Sequence, residues 1–266
     1  MKRGTSITLA ICTALSVSAL SVAQEVAPPP ANPAPTTGAP APVNVAPGVS
    51  VPAATPPAPP PPQAVPKATG EVAQFLDRVF AHLPAGVPTS YEFESWEQAG
   101  KPTDEGVGLM PAAGTNIEAM VKRIMDVDHY KGNIDAVLES RTLKDTRFSP
   151  PKSVRFYQRI NLSAIGEMQM DLVLVDEGVR KGYRTVFWYL NKPETKALDR
   201  SQGMRSDYNV GAWLISDKAV GYALSSAPLK DDCNFLQWQS LTTGADLAAK
   251  PVVETNIKGM IKWSKR

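Results

Sequence analysis

The sequence predicts an α+β fold: a long antiparallel sheet closed by a C-terminal helix. Three observations point there. Between residues 136 and 242, seven segments alternate polar with apolar residues or are rich in β-branched and aromatic ones. Short turn sequences separate them, as hairpins require, and no helical period breaks the run, which excludes a parallel βαβ plan. Stripes of apolar residues at helical spacing lie before this run and after it.

In chain order, residues 69–83 place Val72, Phe75, Leu76, Val79, Phe80 and Leu83 on one stripe, predicting an amphipathic helix that Pro84 and Gly86 stop. His82, at its end, reads as a surface residue. Residues 89–98 alternate and predict a strand, and Val107–Met110 a second short one. Thr115 and Glu118 have the S/T-x-x-E spacing of a capping box, opening a helix with Ile117, Met120, Val121 and Ile124 on its apolar side. The strands follow at 136–143, 154–162, 168–176, 183–190, 208–216, 220–227 and 234–242. The last segment returns to helix, with Pro251 in its first turn and Val253, Ile257, Met260 and Ile261 as its stripe. Gly259 costs helix stability and so marks a close contact or a bend.

The N-terminal quarter is a different material. Lys2 and Arg3 precede an apolar, hydroxyl-rich run from Ile7 to Val22, and small residues end it. That pattern predicts a signal peptide over 1–23 and an exported chain, periplasmic or secreted. Ile11 and the continuing apolar run disfavour lipidation at Cys12; a tether through an uncleaved or lipidated N-terminus is the lesser reading. Residues 24–68 predict a disordered linker: 16 of the 25 prolines fall between Pro28 and Pro66, with no charge between Glu25 and Lys67. Proline withholds a backbone donor and favours extended neighbours, so the segment reads as a stiff spacer reaching on the order of 100 Å. The folded domain is expected over 69–266.

Without Lys2 and Arg3, the 28 basic residues fall to 26 and equal the 26 acids. A balanced chain lacks the basic excess of a nucleic-acid binder. Cys233 would then be the one remaining cysteine, so no internal disulfide is expected.

Strand, paired short helices, long antiparallel run and C-terminal helix together resemble the START-like, or SRPBCC, superfamily with its helix-grip fold. The residues that carry the resemblance are NIEAMVKRIMDVDHY, followed by NIDAVLESRTL, and the closing VVETNIKGMIKW; Asp126 and Tyr130 match a D-x-x-x-Y-like joint. The resemblance runs from about 107 to 266 and leaves the first helix as an extension. It implies a curved sheet wrapped around a long C-terminal helix, with a cavity between them that holds a hydrophobic small molecule of the lipid or sterol class.

Met168, Met170, Trp188, Trp213, Trp238 and Met260 are the expected lining, and Phe187 is a further candidate; methionine suits irregular apolar shapes. Each can equally be ordinary core. Two alternatives stay open: a polyketide cyclase- or dehydratase-like enzyme using the same cavity, and a structural or interaction domain whose cavity has collapsed. No catalytic residue, metal or cofactor is assigned. The expected partners are the hydrophobic ligand and a transient membrane contact; the sequence leaves oligomeric state open.

The cluster Asp126, Asp128 and His129 lacks a metal-ligand spacing and reads as a joint between helices, with the aspartates as caps and the histidine at the surface. Cys233 is a candidate nucleophile only in residue type. Arg159, Asp171 and Arg184 lie in strands. Asp171 is opposite in phase to Met168, Met170, Leu172 and Leu174, so it is expected outside the grip.

Overall fold

The computed structural model describes residues 67–162, 165–243 and 245–266. The expected signal peptide and most of the expected linker lie outside the described residues.

Eight strands form one antiparallel sheet: β1 (Glu92–Trp96), β2 (Glu105–Pro111), β3 (Val137–Leu143), β4 (Ser153–Asn161), β5 (Glu167–Arg180), β6 (Tyr183–Leu190), β7 (Met204–Ile215) and β8 (Ala219–Pro228). The spatial order is β1-β2-β8-β7-β6-β5-β4-β3. Strands β3 to β8 are therefore the expected meander, and the first two strands add to its far side through β2–β8 pairing. Gly178 and Gly182, both at positive φ, shape the β5–β6 hairpin. The β6–β7 connection differs from expectation: Asn191-Lys192-Pro193 opens a short helix, α3 (Lys192–Ala197), instead of a plain turn. Its six residues are too few for a helical period to register. Here β7 splits its partners, pairing β6 over 210–215 and β5 over 204–205.

Side chains alternate along each strand, so the sheet has two faces with different covers. The outer face takes α1 (Gly70–His82), whose Phe75, Leu76 and Val79 are buried against Val107, Val173, Val210, Ala212 and Leu214. The inner face takes α5 (Ala245–Ser264) and α2 (Ile117–Met125). Val253, Ile257 and Met260 have no exposed surface. They recur at i, i+4 and i+7, the stripe expected of a helix laid on a sheet. Gly108 lets α5 approach: a Cβ there would lie 2.4 Å from Val253 Cγ1 and 2.7 Å from the Tyr91 ring.

Three local expectations change, and the one at Gly259 is decided. Residues 234–242 are not a strand; Phe235–Thr243 is helix α4, whose apolar residues at 235, 238 and 241 recur at a helical step, while Leu236 and Trp238 also keep a strand's alternation. Pro251 sits inside α5 and not in its first turn, because the helix already begins at Ala245. The α2 cap is Asn116, whose side chain accepts from Ala119 N, while Thr115 Oγ1 donates back to Ala112 O at 2.7 Å; Glu118 lies 3.7 Å from Arg184. Gly259 marks a close contact: a Cβ would meet Asn133 O at 3.2 Å.

The DVDHY stretch is a joint, as expected, but its two aspartates divide the work differently. Asp126 ends α2, and its carboxylate is 2.6 Å from His129 Nδ1; His129 is exposed. Asp128 caps no helix. It accepts from Thr142 N at 2.6 Å and Thr142 Oγ1 at 2.9 Å, and so fixes the end of β3 to the joint. Tyr130 packs edge-on against Phe156 and Trp263 and donates its hydroxyl to Ile124 O.

Candidate functional site

The inner face divides lengthwise. Under α2 and the C-terminal part of α5 it is solid core: Val154, Phe156, Leu172, Leu174, Val186, Ile215 and Val220 are all buried. Toward α4 and the start of α5 the packing loosens. Ile160, Leu162, Leu190, Tyr222 and Leu224 remain only partly buried on the same face. Burial pushes the Tyr222 phenol well above its usual range, partly offset by a hydrogen bond with Asn256, yet part of the ring stays accessible. A side chain enclosed by protein that still has accessible surface faces a recess.

Aromatic rings line the passage between the two halves. Tyr222 lies 5.1 Å from Trp188 and 4.5 Å, edge-on, from Trp213. The Trp188 indole crosses Gly211, where a Cβ would come within 2.0 Å of it. Glycine is thus required for a tryptophan to lie flat on the sheet. The polar groups of this region are few and neutral. Trp188 Nε1–H donates to Asn209 Oδ1 at 2.7 Å, and Asn209 Nδ2 donates to Ser226 Oγ at 3.0 Å and approaches Met170 Sδ at 3.4 Å. The described side chains around this polar set are uncharged; the register places one charged pair on the same face, Asp176 and Arg184, at its far end beside Glu118 of α2. An apolar surface with a small, converging polar set is the usual make-up of a site for a hydrophobic ligand.

Two clefts open beside that polar set. One, about 430 Å³, lies at the ends of β6, β7 and β8, where Leu190, Asn209 and Trp238 share its wall with Glu71 of α1 and the charged Lys101, Lys192, Asp207 and Lys230. The other, about 70 Å³, holds Phe93, Gly106, Leu224, Ser225, Ser226 and Ala249 between the sheet and α5.

Of the six residues expected to line a cavity, five come together. Met168, Met170, Trp188, Trp213 and Met260 belong to one buried cluster on the inner face. Trp238 does not join them: it stands on α4, half-buried, with Lys230 Nζ 5.7 Å from its ring centroid, and lines the 430 Å³ cleft instead. Phe187 points the other way, into the outer cluster under α1. Asn209, Ser226 and Tyr222 were not singled out from sequence; a polar residue in phase with Trp213 along β7 was the available signal.

Asp171 is outside the grip, as its phase implies, but buried there. Arg155 grips it with Nε and Nη2 at 2.9 and 2.7 Å, and Asn191 and Asp145 complete the cluster. Arg184 pairs with Asp176 at 2.7 Å, and Arg159 with Glu167 at 2.6 Å. Cys233 donates weakly to Met204 Sδ and Leu229 O, and burial raises its thiol pKa, the opposite of an activated nucleophile. Among the described residues no cluster of His, Cys, Asp or Glu is suited to a metal, and no helix is long and apolar enough to cross a membrane.

No family model matches the sequence, and no curated protein sequence matches it significantly. Solved structures do match the fold. A STAR-related lipid transfer protein fragment from Xanthomonas axonopodis is 14% identical, with a TM-score of 0.54 over 68% of this chain and 97% of that one. Human STARD10 is 9% identical, with a TM-score of 0.54 over 76% and 82%. This chain has the START-like, helix-grip fold. The START-like grip accounts for the sheet order, the α5 stripe and the inner face; α1 is packed on the outside of that grip.

Proposed function

We propose that this chain binds a hydrophobic small molecule of the lipid or sterol class inside the START-like grip, in the looser half of the inner face. The observation that carries this reading is the looser half of the inner face: lined by Met168, Met170, Trp188, Trp213 and Tyr222, with neutral polar groups beside them, and left partly uncovered near Leu190 and Leu224. A face meant only as core has no need of half-buried leucines beside a converging polar set. The Xanthomonas axonopodis neighbour is a STAR-related lipid transfer protein, which supports the same reading. A cyclase-like enzyme would want an acid or base aimed into the grip; the described polar groups there, Asn209, Ser226, Tyr222 and Asn256, favour holding a ligand over moving its protons.

The basic, then apolar, N-terminus supports export, and the proline-rich stretch supports a spacer between that N-terminus and the grip. Transient contact with a membrane is the exchange step such a carrier needs.

The test is native mass spectrometry of protein purified from its own host, with delipidated protein titrated by a neutral apolar fluorophore. A co-purified apolar mass and saturable fluorescence at one site per chain are expected. A chain that carries nothing and binds no apolar probe would end this reading and favour a structural domain.

A further inference from the structure

The 430 Å³ cleft bends around the end of the sheet and so belongs to both faces. Tyr189 and Tyr208 in its wall pack with the outer cluster, whereas Leu190 packs against the inner one. The strand pairing opens it. β6 ends at Leu190, and its pairing with β7 stops at Tyr189↔Val210; β7 meets β5 only at Met204 and Arg205. Asp207 and Asn209 lie between those two pairings, and both line the cleft. Asn209 also accepts from Trp188 Nε1, so the cleft meets the looser half of the inner face. From α4 it receives Trp238. Its volume lies within the range of small-molecule sites.

The charges in this wall do not cancel. Lys101 pairs with Glu71, and Lys192 with Asp207 at 3.0 Å. Both carboxylates line the cleft, so three lysines against two acids leave one positive charge, and it falls on Lys230. Among the described residues no carboxylate reaches Lys230 within ion-pair distance. Its ammonium stands 5.7 Å from the Trp238 ring centroid instead, a cation–π contact that leaves its hydrogens for another acceptor. An ammonium beside an indole offers a charge to a polar head and an apolar plane to the methylenes behind it.

Resting on the proposed function above, we infer that this cleft is the mouth of the grip and receives the anionic head of an amphiphile, a carboxylate or a phosphate ester. The head sits against Lys230, its first methylenes cross Trp238, and its apolar tail passes Leu190 and Asn209 toward Trp188. A cationic head meets a surplus of its own sign there and is disfavoured.

The experiment measures dodecanoate at pH 8, dodecyl phosphate, dodecyltrimethylammonium and dodecanol, each below micelle formation, as competitors of a neutral apolar fluorophore. Inorganic phosphate serves as a head without a tail. The proteins are wild type, Lys230→Gln, Lys230→Glu and, as a lysine outside the cleft, Lys144→Gln between β3 and β4. Both anions are expected to displace the fluorophore from wild type about threefold better than the ammonium, or more, while inorganic phosphate displaces none. Lys230→Gln should weaken both anions about threefold, the scale of a part-exposed ion pair, and Lys230→Glu about tenfold. Dodecanol affinity should stay unchanged in every variant, which also establishes that each is folded, and Lys144→Gln should change nothing. Loss confined to one of the two anions supports the subsite and names its head. Equal affinity for anion and ammonium in wild type, or undiminished anion affinity in folded Lys230→Glu, overturns the subsite while leaving the apolar pocket standing. Displacement by inorganic phosphate overturns the amphiphile and leaves a tail-less anion site. Failure of every probe, dodecanol included, instead overturns the pocket.

Discussion

The two faces of this sheet solve burial in opposite ways. The outer face buries charge: Glu105, Asp171 and Glu177 are at most 2% exposed, each held by an arginine, Arg78, Arg155 and Arg180 respectively. The inner face uses neutral groups around Trp188 and Asn209 and keeps its charged pair, Asp176 with Arg184, at the other end beside α2. The outer pairs are bidentate and roofed by α1, α3 and the loops, so each carboxylate oxygen of Glu105, Asp171 and Glu177 meets a donor. A face that opens to a guest cannot leave carboxylates behind when the guest departs. The contrast separates the side of the sheet that holds the fold from the side proposed to hold a ligand.

That contrast can be broken most forcefully at Arg155. Arg155→Met leaves Asp171 buried without its cation, next to Asp145. Removing one partner of a buried pair costs about 3–5 kcal/mol, so the urea midpoint should fall sharply while any affinity for apolar probes in the remaining folded protein persists. Gly211→Ala acts on the other face. The added methyl group would collide with Trp188, and overpacking of this kind costs about 1–3 kcal/mol. Unlike Arg155→Met, it should also change the tryptophan emission and weaken binding of the apolar fluorophore. Equal effects of both variants on binding would deny the division of labour. Trp188→Phe is milder in volume but strands Asn209 Oδ1, for a cost of about 1–3 kcal/mol, measurable by the same denaturation.

The pH response should come from the outer side. Hydrogen bonds from Arg205 hold Asp232 below the usual carboxylate value of about 3.9. Its folded pKa is depressed, so its stabilisation is present above the unfolded value and is lost as pH falls through the folded one. Arg205→Gln should raise the pH of acid unfolding. The smallest effect lies in the joint. Asp126 raises the pKa of His129, so that contribution is complete below the unfolded value of about 6.5 and fades as pH rises through the folded one. The His129 ring proton shifts should titrate at lower pH in Asp126→Asn.

Much of this was legible in the residues because period and phase are local. The alternation MQMDLVLV assigns Met168, Met170, Leu172 and Leu174 to one face and Asp171 to the other, and the α1 and α5 stripes announce their buried sides. What misled was also local. FLQWQSLTT fits either period, and its carbonyls close helical bonds in the folded chain. Two adjacent polar residues, Thr115 and Asn116, compete for one cap, and Asn116 takes it. The Asn209–Ser226 contact is of another kind: it depends on how β7 registers against β8, which is not written in a spacing. Asp171 was placed on the correct face, but its burial depends on α3 and Arg155 arriving from elsewhere.

The sheet has two margins, β1 and β3, and both are guarded. β1 is five residues long, carries Glu92 and Glu94, and has His82 reaching over to Glu94 at 2.6 Å. At the opposite border, Asp128 occupies the Thr142 amide that an incoming polypeptide would otherwise seize. A foreign β-segment trying to zip onto either rim meets brevity and negative charge on one, and an already occupied donor on the other. Molecules of this chain crowded together should therefore resist stacking edge to edge into fibrils.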